Sequence, residues 1–281
     1  MTDESLTAQH RGGVLQRRFG TKAAAIRAAF AHRVALPAGP PWAFVALGAF
    51  AVVLIAWLAL DEGSVAWAQD LPQWLEDFAQ IMSEVGLSQW YLVPTGVLAI
   101  LLFLGDWTRL RASLVRGWAT VGALTTYAFL AVGLGGIAVN LLKIVFGRAR
   151  PHLFDEAGVR AFDFWAAGYD NASFPSGHAT TAGSLIVVGW FLFPRLRPLV
   201  VLFGLAIAGS RVVVGAHYPS DVAAGLVVGG TVAYLVARLF ARHGLGFTAH
   251  PMRRDGAPIR AAVRDNGILR FLVAPIRALI G

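Results

Sequence analysis

The 281-residue chain is 57% hydrophobic and only 14% charged, with a mean hydropathy of +0.61. These values are far from those of soluble globular domains, so a soluble enzyme or a soluble binding module is excluded. The net charge of +8 lies mostly between and beyond long apolar runs, so it reflects membrane topology rather than nucleic-acid binding. The chain contains no cysteine, which excludes disulfides and thiolate chemistry.

Six apolar runs recur along the chain at lengths suited to crossing a bilayer. They predict an all-α, polytopic membrane protein whose six transmembrane helices form one bundle over residues 42–241. The second and fourth runs are short and depend on flanking aromatic residues or on local thinning of the bilayer. The predicted spans cover residues 44–60, 91–105, 119–142, 179–193, 199–209 with a continuation through 214, and 222–240.

The distribution of basic residues predicts the orientation of these spans. Nineteen of the 24 Lys and Arg residues lie before the first span, in 108–118, in 195–197, or from 238 onward. Basic residues are retained on the cytoplasmic side of a membrane, so both termini are predicted to be cytoplasmic. The five remaining basic residues then lie on the outer face.

Amphipathic surface helices are predicted outside the bundle. The basic N-terminal segment 1–41 favours a helix on an anionic membrane surface over a partly disordered tail, and the basic tail 242–281 has a similar pattern. The outer loop 61–90 contains six acidic residues and no Lys or Arg. Its apolar residues fall on one helical face and predict an interfacial helix that packs against the bundle, in preference to a lid or substrate guide. That face consists of Leu71, Trp74, Leu75, Phe78 and Ile81.

A basic cluster, KIVFGRARP, ends the third span at residues 143–151. Lys143 and Arg150 are seven residues apart, close to two helical turns, so both side chains can face the same way. Pro151 disfavours helical geometry at Arg150 and marks the end of the helix near that residue. Snorkelling to lipid head groups explains either cation singly, but it explains the pair together with Arg211 less well.

A second cluster, NASFPSGH, precedes the fourth span at residues 171–178. Ser176 suits the N-cap of this span. Free amides and the positive end of the helix dipole form an anion site there, and Gly177 allows a ligand to approach the backbone. His178 follows in the first turn. Taken alone, the cluster is better explained as an ordinary helix start with an incidental histidine.

A third cluster, SRVVVGAHYPSD, separates the fifth and sixth spans at residues 210–221. Arg211 offers a planar guanidinium that can make two charge-assisted hydrogen bonds to a phosphate. His217 lies four residues before Asp221, whose carboxylate can fix one tautomer and free the other ring nitrogen for attack or proton transfer. Taken alone, a helix end with a snorkelling arginine and a capping His–Asp pair explains this cluster about equally well.

The three clusters are predicted to emerge together on the outer face. They combine cations, hydroxyl and amide donors, and titratable groups, which are the groups that phosphoryl transfer requires. A metal site fits less well, because His178, His217 and Asp221 would have to hold a cation among three positive side chains. No metal or other cofactor is therefore predicted.

The Lys-x6-Arg-Pro, Pro-Ser-Gly-His and Ser-Arg-x5-His-x3-Asp motifs resemble those of the type 2 phosphatidic acid phosphatase superfamily, over roughly residues 90–240. The resemblance implies a bacterial inner-membrane lipid phosphate phosphatase that uses no metal and forms a phosphohistidine. His217 is then the nucleophile, Asp221 orients it, and His178 protonates the leaving alkoxide before activating water. The phosphate oxygens are held by Lys143, Arg150, Ser176, Gly177 and Arg211. Arg148 lies outside the motif positions and has no assigned role.

Two alternatives to hydrolysis fit the same residues. One is a lipid phosphotransferase of the same superfamily, in which a second lipid replaces water, and the other is a non-enzymatic anion or lipid transporter. Transport does not need His178 and His217 beside the anion, so phosphate release separates these hypotheses. The expected partners are the bilayer and a lipid phosphate, with no nucleic acid, and the sequence defines neither the lipid nor the oligomeric state. Phosphatidate, phosphatidylglycerophosphate, prenyl (di)phosphates and lipid A are all compatible with the motifs.

Overall fold

The computed structural model describes residues 34–36, 41–106, 110–166, 168–243 and 245–248. Regular structure in these residues is almost entirely helical, which confirms the predicted all-α class. The α-helices are α1 (Trp42–Ala59), α2 (Asp61–Gln69), α3 (Gln73–Val85), α4 (Gln89–Leu104), α5 (Ala112–Phe146), α6 (Phe154–Ala157), α7 (Gly177–Leu192), α8 (Arg197–Val213) and α9 (Pro219–Arg242). Short 3-10 helices occupy Pro151–Leu153 and Pro194–Leu196, and two-residue strands β1 (Val34–Ala35) and β2 (Phe247–Thr248) form a parallel pair.

Five helical segments of the described residues are long and apolar enough to cross a membrane, which makes the chain a multi-pass membrane protein. They cover Trp42–Ala59, Gln73–Leu104, Gly117–Phe146, Pro194–Val213 and Pro219–Arg242. The remaining predicted span coincides with α7, which has 16 residues, whereas a bilayer core requires about 20. Each predicted span is thus helical, but the structure does not confirm six full crossings.

The outward-facing side chains suit a hydrocarbon environment. Phe44 and Leu47 of α1 are 74% and 64% exposed, and Leu101 and Leu104 of α4 are exposed to a similar degree. A continuous apolar surface of this kind is unfavourable in water, but lipid tails are as apolar as leucine. In this environment, the apolar face of a helix therefore does not indicate which side of that helix packs against the rest of the protein.

One compact unit comprises residues 37–95 and 127–237. In it, α7 and α9 approach so closely that a Cβ on Gly229 would lie 1.9 Å from the carbonyl oxygen of Thr180. A Cβ on Gly225 would lie 2.4 Å from the carbonyl oxygen of Ser176, so glycine is required at both places. The two backbones are therefore in contact, and their N-terminal turns lie side by side.

Helix α5 ends earlier than the sequence predicts. It stops at Phe146, because Gly147 adopts a φ of +53° and a Cβ there would lie 1.8 Å from the carbonyl oxygen of Asp163. Arg150 is thus in extended backbone, with φ −79° and ψ 159°, and not on the same helical face as Lys143. The prediction that Pro151 ends this helix, and that two helical turns align the cations, is wrong in its geometry.

The loop 61–90 contains two helices, α2 and α3, and α3 packs against α8 as predicted. Within α3, Trp74 and Ile81 of the apolar face are 69% and 60% exposed, whereas Ala79 and Ser83 are buried. The fully buried positions of this helix are thus small residues, and large apolar side chains face outward, as a lipid environment allows.

The other compact unit comprises residues 1–36, 96–126 and 238–281. Its described part includes the β1–β2 pair, in which Val34 is opposite Phe247. A small apolar cluster surrounds Ala119 on α5 and includes Leu102 of α4. The predicted surface helices of segments 1–41 and 242–281 fall almost entirely outside the described residues.

Candidate active site

Two of the predicted cations converge on one carbonyl group. Lys143, in the last turn of α5, donates to the carbonyl oxygen of Ala172, and Arg150 Nη2 lies 3.5 Å from the same oxygen. Arg150 Nε also donates to the carbonyl oxygen of Tyr169 at 2.8 Å, and its guanidinium lies 4.1 Å from the Tyr169 ring centroid. Main-chain carbonyls of the segment before α7 therefore orient both cations without neutralising them.

The third cation, Arg211, comes from the last turn of α8. Its guanidinium donates to the hydroxyl of Ser83 on α3. The turn after α8 is tied to it, because the backbone N–H of His217 donates to the carbonyl oxygen of Arg211 at 3.1 Å. Among the described residues, neither Arg211 nor Lys143 nor Arg150 forms an ion pair with a carboxylate.

The N-terminus of α7 has the features predicted for an anion site. Ser176 is the N-cap, and its hydroxyl oxygen accepts from the backbone N–H of Ala179 at 3.4 Å. No other atom lies within 4 Å of a Cβ built on Gly177, so its backbone is open to a ligand. His178 follows in the first turn, half-buried, and its ring lies 3.1 Å from the position of a Cβ on Gly86.

Hydrogen bonds between loops bring the three motifs together. The backbone N–H of Ser176 donates to the carbonyl oxygen of Asp221 at 2.9 Å, which joins the starts of α7 and α9. Arg150 Nη1 lies 3.4 Å from the carbonyl oxygen of Ala216, next to His217. The predicted site residues thus form one cluster, although they come from three separate stretches of the sequence.

His217 and Asp221 are the most buried of the predicted site residues that titrate. His217 is 3% exposed, and its Nδ1 lies 3.6 Å from Asp221 Oδ2, which is beyond hydrogen-bond distance. Burial lowers the pKa of His217 to about 4; Asp221 opposes this shift, whereas Lys143 and Arg150 reinforce it. The imidazole is therefore neutral at neutral pH, which is the form that can act as a nucleophile.

Asp221 is held by groups to which the sequence assigned no role. Its Oδ2 accepts from the Ser173 hydroxyl at 2.6 Å and from the backbone N–H of Tyr218 at 2.9 Å. Its Oδ1 accepts from Arg148 at 2.6 Å. Ser173 lies in the second sequence cluster and Arg148 in the first. Their position next to predicted site residues in the sequence was the only indication that they belong to the site.

A cavity of about 290 Å³ lies beside His217, between α2, α3 and the turn that follows α8. Its walls include Val212 at the end of α8, Gly215 from that turn and Pro151 from the first motif. The polar side chains that line it belong to Ser64, Gln69, Glu76, Gln80 and His152. Six residues of the outer loop 61–90 thus border a space that reaches the predicted nucleophile.

Comparison with known proteins identifies the family of the chain. The PAP2 superfamily model matches residues 124–245, which contain all eight predicted site residues. The chain is 35% identical over 196 residues to a lipid A 1-phosphatase of Rhizobium etli, covering 68% of this chain and 82% of that protein. A lipid A 1-phosphatase of Rhizobium johnstonii is 35% identical over 217 residues, covering 77% and 85%.

A solved structure is also similar to this chain. It is the crystal structure of a transmembrane PAP2-type phosphatidylglycerolphosphate phosphatase from Bacillus subtilis, with a TM-score of 0.47 and 22% identity, covering 70% of this chain and 96% of that one. The extent and identity of the match to the Rhizobium proteins, together with the family model, confirm the resemblance predicted from the three motifs. The chain therefore belongs to the PAP2 superfamily.

Proposed function

We propose that this protein is a metal-independent lipid phosphate phosphatase that forms a phosphohistidine at His217. The observation that carries this proposal is the charge of the site. Lys143, Arg150 and Arg211 converge without a carboxylate partner among the described residues, whereas Arg148 nearby binds two carboxylates. Unneutralised cations beside the N-terminus of a helix favour a bound phosphate dianion.

The proposed reaction has two displacements at phosphorus. The Nε2 lone pair of His217 forms the N–P bond while the P–O bond to the lipid breaks, and His178 donates a proton to the departing oxygen. Water then attacks phosphorus, His178 takes its proton, and the N–P bond breaks to release inorganic phosphate. The three cations, Ser176 and the amide of Gly177 stabilise the charge on the non-bridging oxygens in both steps.

We propose a glycolipid phosphate as the substrate class. The Rhizobium relatives are named lipid A 1-phosphatases, and their matches extend well beyond the motif region. The cavity beside His217 supports a polar head group, because amide, hydroxyl and carboxyl groups line it and its volume of about 290 Å³ is close to the lower end of the range for ligand sites, about 300 Å³. The acyl chains would stay in the hydrocarbon around α1 and α4.

The test is the release of inorganic phosphate from a panel of lipid phosphates in mixed micelles. We expect lipid A to be cleaved with a higher kcat/KM than phosphatidate, phosphatidylglycerophosphate or a prenyl diphosphate. Soluble nitrophenyl phosphate should be worse by orders of magnitude, because each chain methylene kept in an apolar environment contributes about 0.8 kcal/mol. EDTA should leave the rate unchanged, and vanadate should inhibit by occupying the phosphate site.

Other outcomes of the panel identify the alternatives. Loss of substrate with no inorganic phosphate, but with a new phosphorylated lipid, would indicate a phosphotransferase. Binding of lipid phosphates without turnover would indicate a transporter. Soluble esters cleaved as well as lipids, or inhibition by EDTA that a divalent metal reverses, would contradict the proposal itself.

We further propose that residues 42–241 form the catalytic domain, with segments 1–41 and 242–281 in the cytoplasm and the site on the outer face. The Cys-free chain allows single cysteines as probes. Arg160 and Arg195 are both exposed, and they lie on opposite predicted sides of the membrane. In intact cells a membrane-impermeant maleimide should label Arg160→Cys and not Arg195→Cys, and the reverse pattern would disprove this orientation.

A further inference from the structure

A buried network joins α2, the segment after α5 and the first turn of α9. Its centre, Arg148, is fully buried. Nη1 donates to Asp221 Oδ1 at 2.6 Å and to the Ser220 hydroxyl at 2.8 Å. Nη2 donates to Asp61 Oδ2 at 2.8 Å and to the carbonyl oxygen of Val159 at 2.8 Å. Arg148 therefore shares one positive charge between two buried carboxylates.

Asp61 also fixes the start of α9. The backbone N–H of Ser220 donates to Asp61 Oδ1 at 2.9 Å, and the Ser220 hydroxyl donates to Asp61 Oδ2. Asp61 belongs to the first turn of α2 and is itself fully buried. A carboxylate from outside the three motifs thus holds the residue that precedes Asp221.

The charge of this network affects the neighbouring imidazole. Two carboxylates and one guanidinium give the three side chains a net charge of −1. The Asp221 oxygen that faces His217 is not the one bound by Arg148. If Arg148 had Asp221 as its only carboxylate partner, that pair would be neutral and its field at His217 would be weaker.

We propose that Asp61 is a positioning residue for the nucleophile: by sharing Arg148 with Asp221, it keeps an excess negative charge beside His217. This inference rests on the phosphohistidine mechanism proposed above. In that mechanism the Nε2 lone pair becomes the N–P bond as the P–O bond breaks, while Nδ1 keeps its proton, so the ring gains positive charge. The excess negative charge stabilises this charged ring relative to the neutral one.

Asp61→Asn changes the net charge of the network from −1 to 0 at nearly constant size. We expect kcat to fall about 10- to 100-fold, the range seen when a partner that orients a functional side chain is lost. KM should stay within about threefold, because the phosphate-binding side chains are unchanged. In rapid-quench experiments with radiolabelled lipid phosphate, formation of the phosphohistidine should slow by the same factor as kcat.

Glu62→Gln is the matched control, since it converts an exposed carboxyl group to an amide on the next residue of α2. It should keep the wild-type kcat. An Asp61→Asn protein that is folded and has the same kcat as this control overturns the proposal.

The double variant Asp61→Asn, Arg148→Gln separates charge from structure. It returns the network to a net charge of −1, now held by Asp221 alone, so we expect a kcat within about tenfold of wild type. A double variant that loses as much kcat as Asp61→Asn overturns the proposal. If Asp61→Asn does not fold, a loss of more than about tenfold in the kcat of the double variant also overturns the proposal. Failure of both proteins to fold overturns it as well.

Failure of the underlying mechanism gives a different result. If the wild type forms no phosphohistidine, or if His217→Ala keeps its activity, the mechanism is wrong whatever Asp61 does. If the wild type forms the intermediate and Asp61→Asn behaves like Glu62→Gln, only the role of Asp61 is wrong.

Discussion

His217→Ala is expected to lower kcat by roughly 10⁴- to 10⁶-fold, the range seen when the nucleophile of a covalent mechanism is removed. The side chain is buried and neutral, with Asp221 Oδ2 3.6 Å from Nδ1, and its removal takes away the Nε2 lone pair that forms the N–P bond. The cations and the start of α7 are unchanged in this variant. Vanadate should therefore still bind, which ties the loss to chemistry and not to the phosphate site.

The measurement is phosphate release together with detection of the labelled enzyme after an alkaline quench, because the N–P bond of a phosphohistidine is hydrolysed in acid. His243→Ala is the control, because this exposed histidine follows α9 and lies outside the site. It should retain both the rate and the phosphoenzyme. A His217→Ala protein that still accumulates an acid-labile phosphoenzyme would assign the nucleophile to another residue, and His178 would be examined next.

Gly229→Ala is expected to have the second largest effect. The added Cβ would lie 1.9 Å from the carbonyl oxygen of Thr180 and 2.9 Å from the backbone nitrogen of Ser184, and neither backbone can yield without moving a helix. Overpacking of this kind costs about 1–3 kcal/mol and more where backbone must shift. Separation of α7 from α9 also moves His178 away from His217, and a misplacement of about 1 Å can cost about 10²-fold in rate.

Thermal unfolding in detergent and kcat measure the two consequences. Gly136→Ala on α5 is the matched control, since no atom lies within 4 Å of a Cβ at that position. It should keep the wild-type rate and be slightly more stable, because alanine favours a helix over glycine. A Gly229→Ala protein with wild-type melting temperature and kcat would mean that the two helices are farther apart than the structure places them.

The sequence predicted the helices for a physical reason. Hydrocarbon imposes long apolar runs, so spans are visible from composition alone. The eight candidate site residues could be proposed because they are grouped in three short stretches, each at a helix end, that match the motifs of a family. Ser176, Gly177 and His178, for example, are consecutive at the start of α7.

The remaining features depend on long-range pairing. Asp61 and Arg148 are 87 residues apart in the sequence. An acidic residue after one span, or an arginine near the end of another, does not indicate a buried ion pair when each is considered alone. The end of α5 was assigned to Pro151, although Gly147 ends it with a positive φ, which a glycine after a helix can indicate locally, and its close approach to Asp163 is visible only in the structure. Charge pairing in the interior and backbone contacts between loops are visible only in three dimensions.

The orientation of α3 has a consequence for how the enzyme is handled. Its outer side, with Trp74 and Ile81, is in contact with whatever surrounds the protein, while Ser83 on its inner side binds Arg211. Gly86 follows the helix, and a Cβ built on it would lie 3.1 Å from the His178 ring. Lipid or detergent molecules therefore contact one side of a helix whose other side lies next to two predicted site residues, Arg211 and His178. The choice of detergent, and the thickness of the native bilayer, become variables of the reaction itself, for soluble as well as lipid substrates.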